Sequence, residues 1–197
     1  MRLPLRISVA AALLTLALVG MVIREGMARD AGQEVVLAIN AYDPRSPLSG
    51  HYAAFQIQDE LPAGAPCPSG ATSAGGFPFS RKADGWIALK RDGARHRVAG
   101  VAAGRQQARA LGELAVRGSA SCGRRFFQRD RPESRVVTLH IGVDRFHADQ
   151  QEAEAIERDL RGATAAPAFV VVSVGKDGKA RLKGIIVGGK RTDLTWL

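Results

Sequence analysis

The three residue types of a hydrolytic triad occur together near residue 50. Ser46 and Ser49 supply hydroxyl groups, His51 supplies an imidazole, and Asp43 or Asp59 supplies a carboxylate that could orient it. A triad is assembled by the fold, so closeness along the chain is weak evidence for one. His51 also shares a predicted strand face with apolar residues, where a packed histidine is the ordinary outcome. A hydrolase that uses Ser49 and His51 is therefore the third-ranked hypothesis of function.

No spacing typical of a metal or cofactor site occurs in the sequence. The histidines form no HxH or HxxxH pair, and the cysteines form no CxxC pair. The glycine-rich stretch SAGGF does not match a phosphate-binding loop at a strand–helix junction. We therefore expect no metal, no other cofactor and no catalytic residues.

The two cysteines, Cys67 and Cys122, are an even number, which suits a disulfide in an exported domain. A bridge between them would close a long loop and stabilise the fold by about 2–4 kcal/mol. Two free, inert thiols are the alternative.

Positive charge is concentrated in the middle of the chain. The net charge is +9, and residues 81–135 contain 14 basic and 5 acidic residues. Solvated surface arginines explain this most simply, whereas an anionic lipid headgroup or acidic envelope polymer is the functional alternative. The candidates for anion binding are Arg124, Arg125, Lys179, Arg181 and Lys183. Nucleic acid is not an expected partner of a domain outside the cytoplasm.

The N-terminus predicts export. Residues 7–23 carry no charge and would span about 25 Å as a helix, at the short end for crossing a bilayer. An uncleaved signal-anchor within residues 1–30 is favoured over a signal peptide cleaved after Ala28, because the run exceeds a usual signal-peptide core. Arg2 and Arg6 precede the segment and Glu25 offsets Arg24 after it. This asymmetry predicts a single-pass inner-membrane protein with its N-terminus inside.

The remaining chain, residues 31–197, predicts an extracytoplasmic β-rich domain. Apolar residues alternate along residues 33–40 and 51–58, as in half-buried strands. A Pro- and Gly-rich loop follows over residues 59–85, then a hairpin that turns at Asp92 and Gly93, and further strands over 113–121 and 134–146. Residues 104–113 are ambiguous. A helix is predicted over 150–161, with Asp149 as its cap.

The C-terminal hairpin is predicted to turn at Asp177–Gly178 with a two-residue loop, so that Lys176 faces Lys179. That register places Val171 and Ser173 on the core side with Leu182. It places Lys179, Arg181 and Lys183 on the other face. A similar strand, Asp-Gly turn and return strand occurs around residue 92, which suggests two related β modules at 31–135 and 136–197.

The run DPRSPLSGHYAAFQI, beginning at Asp43, resembles the signature of the GDYXXLXD family of bacterial membrane-anchored proteins. The residues that carry this likeness in the signature are Asp43, Pro44, Arg45, Ser46, Leu48, Gly50 and Tyr52. Phe55 stands in place of the family's Leu, and His51 in place of its first Asp. The last Asp is replaced in the region of Gln56–Gln58. Later stretches, including the final hairpin, follow the family's order.

The resemblance implies an envelope location and association with a polytopic membrane protein, and it implies no reaction. Because the motif carboxylate is absent, we interpret Asp43, Pro44, Arg45, Gly50, His51, Tyr52 and Phe55 as a structural corner. The expected architecture is an N-terminal transmembrane helix followed by an antiparallel β sandwich or barrel-like domain with one packed helix. The expected function is that of a non-catalytic envelope module. Binding of an anionic envelope component is the alternative.

Overall fold

The computed structural model of the chain describes residues 3–41, 52–73, 85–124, 135–147 and 167–194, together with Arg158. Within these ranges it has two helices and eleven strands. The prediction of a mainly antiparallel β domain behind an N-terminal apolar helix is confirmed. Of the helix predicted over 150–161, only Arg158 falls among the described residues.

The first helix, α1, comprises Leu3–Asp30, and its apolar part is exposed on all sides. It is long and apolar enough to cross a membrane. Its 28 residues span about 42 Å at 1.5 Å each, so it projects well beyond the β domain.

The strands form one sheet, in the order β11-β10-β9-β1-β2-β7-β6-β4-β5, with β3 paired to β6 and β8 paired to β2. Their bounds are β1 Gln33–Ala41, β2 Tyr52–Glu60, β3 Thr72–Ser73, β4 Gly85–Asp92, β5 Arg95–Ala102, β6 Leu114–Arg124, β7 Arg135–His140, β8 Arg145–His147, β9 Ala168–Val174, β10 Ala180–Val187 and β11 Lys190–Asp193. The short helix α2, Arg105–Leu111, lies in the segment that the sequence leaves ambiguous. It packs on β4, β5 and β6 through the buried Ala108.

The core follows the alternation seen in the sequence. Val35, Leu37 and Ile39 of β1 are buried together, and Phe55 and Ile57 of β2 face them. Side chains two residues apart in a strand share one face, so one alternating run buries a whole face. The predicted faces of β1 and β2 are confirmed at these positions.

The sheet curls until its edge strand β5 lies against β1 and β2. Among the described residues, strands β1 and β2 pair from Ile39 to Ala41, and they separate on the side of Ala38. Where they separate, side chains of β5 contact β1 and β2 instead: His96 contacts β1, and Arg97 contacts β2. The backbone N–H of Val36 donates to Nδ1 of His96 at 3.4 Å. This gives the domain its barrel-like form without a continuous backbone ladder between β5 and β1.

A buried ion pair completes this closure. Asp59 occupies the core-facing register of Phe55 and Ile57, and it is only 5% exposed. Nε of Arg97 on β5 lies 3.0 and 3.2 Å from its two carboxylate oxygens. Nη2 of Arg97 also donates to the carbonyl oxygen of Glu60 at 2.7 Å. The hydrogen bonds from Arg97 to Asp59 are the main cause of a raised pKa of the guanidinium.

The predicted register of the C-terminal hairpin is wrong by one residue on β9. Gly175, and not Lys176, lies opposite Lys179, because the loop contains three residues, with Gly178 at a φ of 78°. A turn followed by a left-handed glycine is the usual form of a three-residue hairpin loop. Val170, Val172 and Val174 therefore face the core, whereas Ser173 lies opposite Arg181 on the other face.

Candidate functional site

Arg181 links the β domain to the end of α1 through two carboxylates, Glu25 and Asp177. We call these three residues the junction. Nε of Arg181 lies 2.6 Å from Oε1 of Glu25 on the helix, and its Nη2 lies 3.2 Å from Oε2. The same guanidinium contacts both carboxylate oxygens of Asp177, at 2.9 and 3.2 Å. Only 10% of the Arg181 side chain is exposed. A guanidinium shared by two carboxylates fixes direction as well as distance, because both contacts are bidentate.

The electrostatics of the junction favour the charged state of its members. Hydrogen bonding from Arg181 is the main cause that lowers the pKa of Asp177 to about 2. The same hydrogen bond is the largest cause of the raised pKa of Arg181. Since the carboxylate's pKa is depressed, this contact is complete above the ordinary value of 3.8 and is lost as the pH falls towards 2.

A second link joins the helix to the C-terminal edge of the sheet. Nη2 of Arg29 donates to the carbonyl oxygen of Leu194 at 3.1 Å. The N–H of Leu194 in turn donates to the carbonyl oxygen of Lys183 at 2.7 Å. Lys183 is itself paired with Glu34 at 2.6 Å, one residue into β1. The helix is therefore tied to strands that are far apart in sequence.

Two clefts, each of about 520 Å³, flank the contact between Glu25 and Arg181. One lies between Arg29 and the loop from Gly142 to Arg145. The other lies between the last turns of α1 and the loop that joins β9 to β10. The helix end, the junction and these clefts form the candidate functional site.

The residues predicted for anion binding fall in different environments. Arg124 is exposed at the end of β6, opposite Arg135. Lys179 is exposed in the hairpin. Arg181 and Lys183 are paired with carboxylates of the protein itself. Arg125 lies outside the described residues, so the structure does not bring the five cations together as one site.

Of the residues of the predicted corner, the structure describes only Tyr52 and Phe55. Asp43, Pro44, Arg45, Gly50 and His51 lie outside the described residues, as does Ser49. Tyr52 pairs with His147 as β2 meets β8. Phe55 is 2% exposed in the core.

Cys67 and Cys122 form a disulfide, with 5.9 Å between their Cα atoms. It fixes the irregular chain after β2 to strand β6, next to the short parallel pairing of β3. In the part of the chain that the structure describes, no three His, Cys, Asp or Glu side chains form a group that could hold a metal ion.

A comparison with family models decides the family. The model of the GDYXXLXY proteins matches residues 14–185, which is most of the chain. The chain belongs to the GDYXXLXY family. This is the family that the sequence resembles under the name GDYXXLXD, so the resemblance is confirmed, and the last letter of the signature is Tyr and not Asp. No curated protein and no solved structure matches it.

The letters of the GDYXXLXY name can be placed on the chain from Gly50. Gly50 and Tyr52 agree with the name, His51 replaces its Asp, and Phe55 and Ile57 stand at its Leu and its last Tyr. Both Phe55 and Ile57 are 2% exposed and belong to the core. At these two positions, therefore, the motif of the GDYXXLXY family describes packing.

Sequence reasoning missed the junction. From the sequence, Glu25 is only a charge that offsets Arg24, although it contacts Arg181, which is 156 residues away. The sequence predicts Asp177 as a turn residue, and it also binds Arg181 through both carboxylate oxygens. The one available signal is a charged pair directly after an apolar run, and it does not indicate the partner.

Replacing Arg181 by glutamine is expected to loosen the helix from the domain without unfolding the sheet. The change removes the contacts to Glu25 and Asp177, so trypsin should cut after Arg29 up to about fivefold faster, the limit for exposed ion pairs. The rate of cleavage in the full chain in detergent measures this. Arg191→Gln, which removes pairs to Glu34 and Asp193 only, is the matched control. Equal cleavage rates in the wild type and Arg181→Gln would contradict the role of the junction.

Proposed function

We propose that this GDYXXLXY protein is a non-catalytic, membrane-anchored envelope protein that serves as an accessory module of a polytopic membrane protein. The observation that carries the proposal is the fixed junction between helix and domain. A flexible tether would let the domain rotate freely. Here Arg181 and Arg29 hold one face of the sheet beside the helix end. A domain fixed in this way presents a constant surface to a partner in the same bilayer.

The exposed helix also favours a partner within the membrane. The apolar side chains of α1 from Ile7 to Ile23 are uncovered by the β domain, and none of the candidate span is buried. Such a surface needs lipid or other transmembrane helices around it. The family resemblance, which implies association with polytopic proteins, points in the same direction.

The proposed location is the inner membrane, with the N-terminus inside and the β domain outside the cytoplasm. Arg2 and Arg6 precede the apolar run, and Arg24 is offset by Glu25 after it. An uncleaved anchor is favoured by the junction, because cleavage after Ala28 would remove Glu25 from its contact with Arg181. The disulfide suits an oxidising compartment.

Affinity capture from detergent-solubilised membranes tests this function. We compare the native chain with a variant in which residues 7–23 are replaced by an unrelated apolar helix of equal length. The native chain is expected to retain one polytopic membrane protein in stoichiometric amount, and the replaced anchor is expected to lose most of it. His51→Ala should retain the partner, since no catalysis is proposed at that residue. Recovery of the native chain alone would contradict the proposal.

A further inference from the structure

One of the two clefts at the junction has the charge of a site for an anionic group. It is about 520 Å³ in volume and lies between the last turns of α1 and the β9–β10 loop. Met21 and Arg24 line it from the helix, and Lys176 and Lys179 line it from the loop. All four side chains are exposed.

Three cations of this cleft have no carboxylate partner within the described part of the chain. Among the residues that the structure describes, Arg24, Lys176 and Lys179 form no ion pair, whereas the two carboxylates that line the cleft are both bound by Arg181. Arg181 is the fourth cation that lines the cleft, and the four cations and two carboxylates leave a net charge of +2. Of the five cations that the sequence suggested for anion binding, only Lys179 belongs to this unpaired set. Arg181 and Lys183 are paired with carboxylates.

The position of the cleft along the axis of α1 matches the headgroup layer of a bilayer. Met21 lies inside the uncharged run of residues 7–23, and Arg24 is the first charged residue after it. The two are about 4.5 Å apart along the helix axis. Each headgroup layer is about 5–8 Å thick outside the hydrocarbon core. With the apolar run in lipid, the cleft opens at the level of lipid phosphates.

The loop that carries the two lysines is held rigidly. Gly178 is buried against the ring of Trp86, where a side chain would collide with the indole. Its carbonyl oxygen accepts the N–H of Arg117 at 2.8 Å, and its N–H donates to Gly175 at 2.9 Å. The guanidinium of Arg117 also lies over the Trp86 ring, at 5.3 Å from its centroid. Lys176 and Lys179 therefore project from a backbone whose position is fixed before any ligand arrives.

We propose that this cleft binds the phosphate-bearing headgroup of an anionic lipid, through Arg24, Lys176 and Lys179, while Met21 contacts its acyl chain. The inference rests on insertion of α1 into the bilayer, and it does not depend on a polytopic partner. Its ligand chemistry, a phosphate ester, could also be met by a soluble phosphate. The position of Met21 favours the lipid.

Lipid retention by the full chain tests the cleft. Native mass spectrometry in detergent compares phosphatidylglycerol with phosphatidylcholine for the wild type and for Lys176→Gln/Lys179→Gln. We expect the wild type to prefer phosphatidylglycerol, and the double variant to bind it roughly 25-fold more weakly, since each lysine near an anionic headgroup contributes about fivefold. Arg24→Gln, on the helix side, should weaken it in the same direction. Lys90→Gln/Lys190→Gln removes two exposed lysines elsewhere and should leave binding unchanged.

Three results would overturn the proposal. The first is equal retention of the two lipids by the wild type, and the second is an equal loss of binding in the control double variant. The third is displacement of phosphatidylglycerol by glycerol phosphate at a similar concentration, which would show a site for soluble phosphate. None of these results would alter partner capture through the native anchor, so failure of this inference is separable from failure of the proposed function.

Discussion

Replacing Arg97 by alanine is expected to lower the free energy of unfolding by about 3–5 kcal/mol, because it leaves a buried carboxylate without its counter-charge. The Asp59 side chain is 7% exposed, and it lies in the core-facing register of β2. Arg97 reaches it from β5, the edge strand that closes the curled sheet. The variant therefore loses the ion pair and the contact from Arg97 to the Glu60 carbonyl together.

A double-mutant comparison separates charge from packing. Asp59→Leu should cost less than Arg97→Ala, since 22% of the Arg97 side chain is exposed and can remain hydrated. Asp59→Leu/Arg97→Met should recover most of the loss, as apolar replacement of a buried pair commonly does. Denaturant unfolding of the full chain in detergent, followed by tryptophan fluorescence, measures these energies. Lys90→Ala, an exposed change on the same hairpin, should remain within about 0.5 kcal/mol of the wild type.

A loss of less than about 1 kcal/mol in Arg97→Ala would mean that water reaches Asp59 in the folded domain. The closure of the sheet by β5 would then rest on packing and on His96 alone. If Asp59→Leu/Arg97→Met were as unstable as Arg97→Ala, the unpaired carboxylate of Asp59 would not explain the loss of stability. That result would also contradict a buried ion pair as the cause.

Removing the disulfide is expected to lower the free energy of unfolding by about 4 kcal/mol in the full chain. The bridge joins residues 55 apart in sequence, and the entropy of closing such a loop gives about this value. Small domains are commonly stable by only about 5–15 kcal/mol, so the loss would be a large share of the total. The double variant Cys67→Ala/Cys122→Ala avoids free thiols.

The same variant should open one local region first. The backbone carbonyl oxygen of Ser69 accepts the N–H of Val101 at 2.7 Å, and Ser73 lies opposite Cys122 in the parallel pairing of β3 with β6. Both contacts depend on the chain that Cys67 holds to the sheet. Hydrogen exchange should accelerate at Val101 well before it does in β1 or β9. Uniform acceleration across the sheet, or unchanged stability, would contradict a tethering role for the bridge.

The strands of this fold could be predicted because their signal is local. Val35, Leu37 and Ile39 alternate with less buried residues, and one buried face is enough to produce that pattern. The two hairpins were also located by their Asp-Gly pairs. Loop length was not predictable for the second hairpin, because Asp-Gly suits a two-residue loop and also the end of a three-residue loop. The register of β9 therefore had to come from the structure.

Neither the candidate site nor the buried ion pair of the β domain could be predicted, because the contacts that form them are long-range. Arg181 meets Glu25 across 156 residues, and Asp59 meets Arg97 across 38. Each of these charges is an ordinary residue by composition. Asp59 even stands at the start of a segment that the sequence marks as a loop, whereas β2 continues through it to Glu60. Ion pairs of this kind are determined only when the sheet curls and brings distant strands together.

We propose that residues 7–23 lie in lipid and that the β domain stands on the far side of the membrane, held to the helix end by Arg181 and Arg29. Protease accessibility of a C-terminally tagged full chain in bacterial spheroplasts tests it most directly. We expect protease added outside to remove the tag and the β domain while a cytoplasmic marker stays intact. A tag that is digested only after the spheroplasts are lysed would contradict it.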